Sequence, residues 1–185
     1  EQWAYPSKLK QCQLWHAPHY NVPLWKGKTE VVVTIHDVIH WIFRKDFLSP
    51  LQALYAEKML KEATQKSKHI ITVSQNTKED LVKYFKADPQ KISVIYEGIS
   101  ERFHANENAE FIQRVKSKFN IPKNYFLYVG MLKPHKNVLW LAESFKKFWK
   151  NQDLETRLVL VGPKDKSYPQ GYEAIQSLGK DAPII

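Results

Sequence analysis

Apolar positions along this chain follow two rhythms. Compact runs rich in β-branched residues alternate with longer stretches whose apolar residues recur every three or four positions. The first rhythm marks strands and the second amphipathic helices. Strands are predicted over 31–35 (VVVTI), 69–73 and 91–96, with a shorter one near 13–15. A helix is predicted over 50–66, its apolar residues Leu51, Leu54, Tyr55, Met59 and Ala63 sharing one face. Ser74 stands where a cap should open the helix after 69–73, although Thr77 and Asp80 have capping-box spacing a turn later. Beyond Gly98 the texture turns polar, with an amphipathic helix near 111–119 stopped by Pro122.

A second series begins at Tyr125. The run YFLYV (125–129) reads as a buried strand ending at Gly130. A basic turn holding Lys133, His135 and Lys136 follows, and Asn137 opens a helix with apolar Val138, Leu141, Ala142, Phe145 and Phe148. Another strand (158–161), a helix near 172–178 and a strand start at APII complete the pattern. Strands alternating with helices predict an α/β fold with parallel sheets and helices on both faces. Sheets this short cannot cover both faces of their cores, so the chain is expected to be the middle of a larger protein.

Composition narrows the class. Hydrophobic content of 43% and aromatic content of 13% support a packed core, which excludes disorder. No apolar run has the roughly 18 to 20 residues a bilayer-spanning helix needs. The opening EQWAYPSKLK lacks the apolar centre of a signal peptide. A lone Cys12 excludes an internal disulfide framework and a cysteine-based zinc site, which together point to the cytoplasm. The net charge of +9 is spread evenly, with 14 Lys+Arg against 10 Asp+Glu in residues 1–100 and 14 against 9 thereafter. Nucleic-acid binders concentrate charge on one face, so an anionic small ligand or membrane surface fits at least as well.

The candidate chemistry lies where predicted strands end. Ligands of open α/β folds bind at the carboxyl edge of the sheet. Gly130, Lys133, His135, Lys136 and the following helix start form a pocket for an anion, a phosphate above all. His36 and Asp37 end the 31–35 strand, with His40 a turn later, and His16 and His19 occupy the HAPHYNVP loop. Ser74, Glu97 and Gly98 end the next two strands. No third ligand completes a metal set around His36 and His40, so no metal is expected. The stretch WIFRKDF (41–47) mixes aromatic and basic residues and has two readings, a membrane or lipid-linked contact and a loop packed on its own domain. A dinucleotide oxidoreductase is disfavoured because no G-x-G-x-x-G follows any predicted strand.

Six segments in order carry a resemblance: HAPHYNVPL (16–24), VVVTIHDVIH (31–40), ITVSQNTKEDL (71–81), KISVIYEGISERF (91–103), YFLYVGMLKPHKNVLWLAESF (125–145) and RLVLVGP (157–163). Together they resemble the retaining glycosyltransferases of family 4, closest in HxPH and TIHDxIH to the mannosyltransferase-type branch. The resemblance implies two Rossmann-like domains facing across a cleft (the GT-B architecture), both incomplete in this chain. Residues 1–103 would be the C-terminal part of the acceptor-side domain, 104–124 an interdomain linker with a helix, and 125–185 the N-terminal part of the donor domain. It also implies transfer of a hexose, mannose first, from a nucleotide-diphosphate sugar (GDP-mannose or a UDP-sugar) to a glycan or lipid-linked acceptor, with retention. No other cofactor and no nucleic-acid partner is implied, and any membrane contact would be peripheral, at the inner face of the plasma membrane.

Residue by residue, Lys136 matches the lysine that contacts the donor phosphates, with Gly130, Lys133 and His135 beside it. His36 matches the first-domain histidine that reaches the donor sugar, accompanied by Asp37, and His16, His19, His40, Ser74, Glu97 and Gly98 would line the cleft. Met131 stands where many members carry arginine, so part of the usual diphosphate clamp is absent or supplied by Lys133 or His135. The family's E-x7-E motif and its first-domain glycine-rich loop are not in this sequence, and the chain alone is expected to be inactive. Two rival readings remain, a nucleotide-sugar epimerase of the same fold and a non-catalytic nucleotide or nucleic-acid binding module.

Overall fold

A computed structural model describes Leu9 and residues 12–105, 108–150, 156–164, 168–180 and 182–185, with only the backbone of Asp46 and Phe47. Apart from Leu9, the opening decapeptide lies outside the described residues. The chain separates into two compact units, Glu1–Phe103 and His104–Ile185.

The first unit is built on four parallel strands in the order β1-β2-β3-β4, namely Leu14–Ala17, Glu30–Ile35, His69–Thr72 and Ile92–Val94. Alternation along β2 sets the core. Val31, Val33 and Ile35 are almost fully buried while Val32 and Thr34 on the other face are only half-buried. Each such side chain contributes about 1.5–3 kcal/mol by leaving water. Two single helical turns, α1 (Ile39–Ile42) and α2 (Arg44–Phe47), lead into the long α3 (Pro50–Lys66). Ser49 and Gln52 close a reciprocal capping box at the start of α3, and Pro50 occupies its first position, where no amide donor is needed. Helix α4 (Gln75–Phe85) follows β3, capped by Ser74, whose Oγ accepts from the Thr77 amide.

The apolar face read for 50–66 does not turn to the core as a whole. Met59 and Ala63 are buried beside Ala56 and Leu60, but Leu51, Leu54 and Tyr55 are 80%, 65% and 49% exposed. Their one-turn spacing puts them on one side of α3, in the first turns of the helix, and those turns leave that side exposed. The 41–47 stretch is likewise divided. Trp41 packs on Tyr84 and Phe85, each at 5.0 Å, with the Arg44 guanidinium over its ring at 4.4 Å, while Ile42 and Phe43 remain exposed.

The second unit contains α5 (Ala109–Lys118), the parallel pair β5 (Tyr125–Val129) and β6 (Arg157–Val161), and helices α6 (Val138–Lys150) and α7 (Pro169–Gly179). Asn108 caps α5 by accepting from the Phe111 amide at 2.9 Å. Leu132, Val138, Ala142, Phe145, Leu158 and Ile175 form the core. The APII segment adds to the free side of β6, through a bridge of Ile184 to Leu158.

Strand β5 departs from the buried strand the sequence suggests. Phe126, Leu127 and Val129 are 53%, 56% and 70% exposed. Among the described residues β5 pairs with β6 alone and is an edge there. Phe126 still meets Phe145 and Phe148 edge-on, with centroids 6.2 Å apart in each case.

Candidate active site

Parallel pairing brings every strand end of the first unit to one edge. Ile35 lies opposite Thr72, and Thr72 opposite Val94. The segments leaving β1 to β4 therefore gather His19, His36 with Asp37, Ser74, and Glu97 with Gly98. His36 is fixed twice. Its carbonyl accepts from the buried Thr77 Oγ at 3.0 Å, and its Nδ1 lies 3.1 Å from Glu97 Oε1. Thr77 is held in turn by Ser74, whose Oγ lies 2.9 Å from the Thr77 hydroxyl. Asp37 turns back on the chain, its Oδ1 accepting from the Ile39 amide at 3.0 Å.

His19 stacks on Tyr20 with centroids 4.0 Å apart. Burial, then the nearby His36 and His40, hold its pKa below the ordinary histidine value, with Asp37 opposing. Burial, assisted by Tyr55 and Asp37, pushes the Tyr20 hydroxyl up. A groove of about 350 Å³ lined by Tyr20, His40, Leu48, Leu51 and Tyr55 adjoins this cluster. His16 stands apart, within β1, where its Nε2 lies 2.9 Å from Thr34 Oγ. Gly98 is open: a side-chain carbon there would meet nothing within 4 Å.

In the second unit the ends of β5 and β6 approach too closely for side chains. A Cβ on Gly162 would sit 1.9 Å from the Gly130 carbonyl oxygen, and the Gly130 amide donates to the Val161 carbonyl at 2.9 Å. The chain then crosses Met131, whose carbonyl accepts from the Tyr128 hydroxyl at 3.1 Å. A 3-10 turn, Pro134–Lys136, follows, with Lys133 before it. Asn137 takes a left-handed φ of 53°, a conformation asparagine tolerates better than most residues. Helix α6 begins directly after that reversal. Lys136 is exposed and Lys133 and His135 half-buried at this helix start, where the first amides have no helical partner.

The first unit's Thr77, Tyr20 and Thr34 join these arrangements without having been singled out in the sequence as candidates. The contacts of Thr77 and Thr34 link strand to helix or cross between strands, so no local spacing announces them. Among the described residues no three His, Cys, Asp or Glu side chains are grouped to hold a metal ion.

Residues 4–103 match the family model Glycosyltransferase Family 4. The chain belongs to that family. Residues 110–181 match a second model, glycosyl transferases group 1. The chain is 32% identical over 147 residues to the O-antigen chain mannosyltransferase RfbU of Salmonella typhimurium, covering 80% of this chain and 36% of that protein. It is 25% identical to the O-antigen chain mannosyltransferase B of Escherichia coli, over 80% of this chain and 38% of the other. Among solved structures, a glycosyltransferase from Rickettsia africae has a TM-score of 0.65 at 21% identity, over 96% of this chain and 47% of that one. Anabaena HepE, in complex with UDP and glucose, has a TM-score of 0.72 at 14% identity, over 97% and 49%. The fold is thus of the GT-B glycosyltransferase class, and the chain spans about a third to a half of these relatives.

Proposed function

We propose that the full-length protein is a retaining hexosyltransferase that moves mannose from a nucleotide-diphosphate sugar to a growing surface glycan or its lipid-linked precursor. The first unit supplies the acceptor side and the sugar contacts, and the second holds the donor. The observation that carries this reading is the basic turn after β5. Two glycines let the strand ends close on each other just before this turn, Lys136 is exposed in it, and the first amides of a helix such as α6 lack helical partners. Such a group of donors neutralises charge where it develops, on the departing diphosphate. HepE, named with UDP and glucose, and the mannosyltransferase relatives support the donor class and the sugar.

In the reaction the bond from the sugar's anomeric carbon to the diphosphate oxygen breaks. The acceptor oxygen bonds to that carbon from the same face, and the acceptor's proton passes to the departing phosphate. No side chain of this chain need serve as nucleophile. Lys136, aided by Lys133 and His135, receives the phosphates, and His36 contacts the sugar. The groove beside His40 and the exposed Leu51, Leu54 and Tyr55 suit the apolar portion of a lipid-linked acceptor at the inner face of a plasma membrane.

The test is Lys136→Ala in the full-length protein, assayed for mannose transfer and for GDP and UDP binding. A loss of about 100-fold in kcat/KM with weakened nucleotide binding is expected, in line with removing one charged contact to the leaving group. Unchanged activity and affinity would overturn the assignment. Isomerisation of the free sugar nucleotide without transfer would point to an epimerase instead.

A further inference from the structure

We infer that Glu97 is a positioning residue that fixes the tautomer of His36, so that the imidazole offers a bare Nε2 to a sugar hydroxyl. The inference rests on the reading of His36 as a sugar contact. It begins with the 3.1 Å separation of His36 Nδ1 and Glu97 Oε1. An ionised carboxylate only accepts hydrogen bonds, so the proton between them belongs to Nδ1. A neutral ring can carry one N–H, which leaves Nε2 as an acceptor.

The pair is too exposed to matter much for stability, with side chains 46% and 66% accessible. Its consequence is orientation. The His36 backbone is already anchored by Thr77, and Glu97 anchors the ring. The two residues are 61 positions apart and meet because β2 and β4, separated by β3, end at the same sheet edge. Titratable neighbours at this edge are Asp37, His19 and His40, which interact with one another through His19. Among the described residues, only Glu97 is bonded to a ring nitrogen of His36.

Nitrogen-15 spectra of histidine side chains, recorded on the full-length protein near pH 8, where histidine is ordinarily neutral, read the tautomer directly. His36→Gln identifies the His36 signals by their loss. The expected wild-type form is Nδ1–H. Glu97→Ala should return the ring to the Nε2–H form that imidazoles favour in water, whereas Glu97→Gln, whose amide oxygen still accepts, should keep Nδ1–H. Transfer activity should follow, falling about tenfold in Glu97→Ala, the scale of one charge-assisted hydrogen bond, and recovering in Glu97→Gln. An Nε2–H wild-type ring, or a tautomer unmoved by Glu97→Ala, overturns the inference. A shifted tautomer with unaltered transfer also overturns it as a positioning role. If His36→Gln then abolishes transfer, the sugar-contact reading stands without Glu97; if it does not, that reading falls too.

Discussion

Thr77 shows how one hydroxyl ties a helix start to a strand end. It is buried, donates to the His36 carbonyl, and receives its own support from Ser74. Thr77→Val keeps the shape and removes the donor. The variant should lose about 1 kcal/mol, the usual net value of such a bond, in urea unfolding. His19 provides a pH-dependent counterpart. Its folded pKa lies below the unfolded value, so folding favours the neutral ring. That contribution is present above the unfolded histidine pKa, near 6.5, and is lost as pH falls through the lower folded value. The wild-type urea midpoint should therefore fall more steeply than that of His19→Gln as the pH is lowered below about 6.5. Parallel curves for the two proteins would remove this account of His19.

At the scale of elements, the close pair β5 and β6 sets what the basic turn after β5 can be. The approach of Gly162 to the Gly130 carbonyl leaves no room for a methyl group. Gly162→Ala must spread the strand ends and displace the turn that carries Lys133 and Lys136. We expect a loss of at least about 2 kcal/mol in denaturant stability, within the range for overpacking a tight contact, together with weaker nucleotide binding. An alanine variant of native stability would mean that the strands separate at no cost. Helix α3 illustrates a different division. Its second half packs Met59, Leu60 and Ala63 into the core, while its first turns expose Leu51, Leu54 and Tyr55.

For the whole molecule, an even charge of +9 combines with that exposed apolar side. No helix among the described residues is long and apolar enough to cross a membrane. Peripheral attachment, as proposed, would draw on both apolar insertion and attraction to anionic lipids. Leu51→Ser with Leu54→Ser in the full-length protein should reduce cosedimentation with anionic vesicles several-fold, and added salt should reduce it further. Equal binding by the variant, or equal binding to neutral vesicles, would detach this face from any membrane role.

Much of this protein is written locally. Strand 31–35, helix 50–66 and the Ser74 cap follow from period and capping chemistry, which depend on neighbours within one or two turns. The strand-end placement of His36 and Glu97 in the first unit, and of Lys136 in the second, follows from the alternating pattern, because a parallel sheet sends its own strand ends to one edge. Exposure was not legible: YFLYV has a core composition but lies at an edge, and Leu51 and Leu54 share a face with Met59 but not its burial. What covers an element depends on what packs there, and no window of sequence contains that. The pairing of His36 with Glu97, the reach of Thr77 and the Gly130–Gly162 contact belong to the tertiary structure alone. Each joins residues distant in sequence, and only the order and register of the strands bring them together.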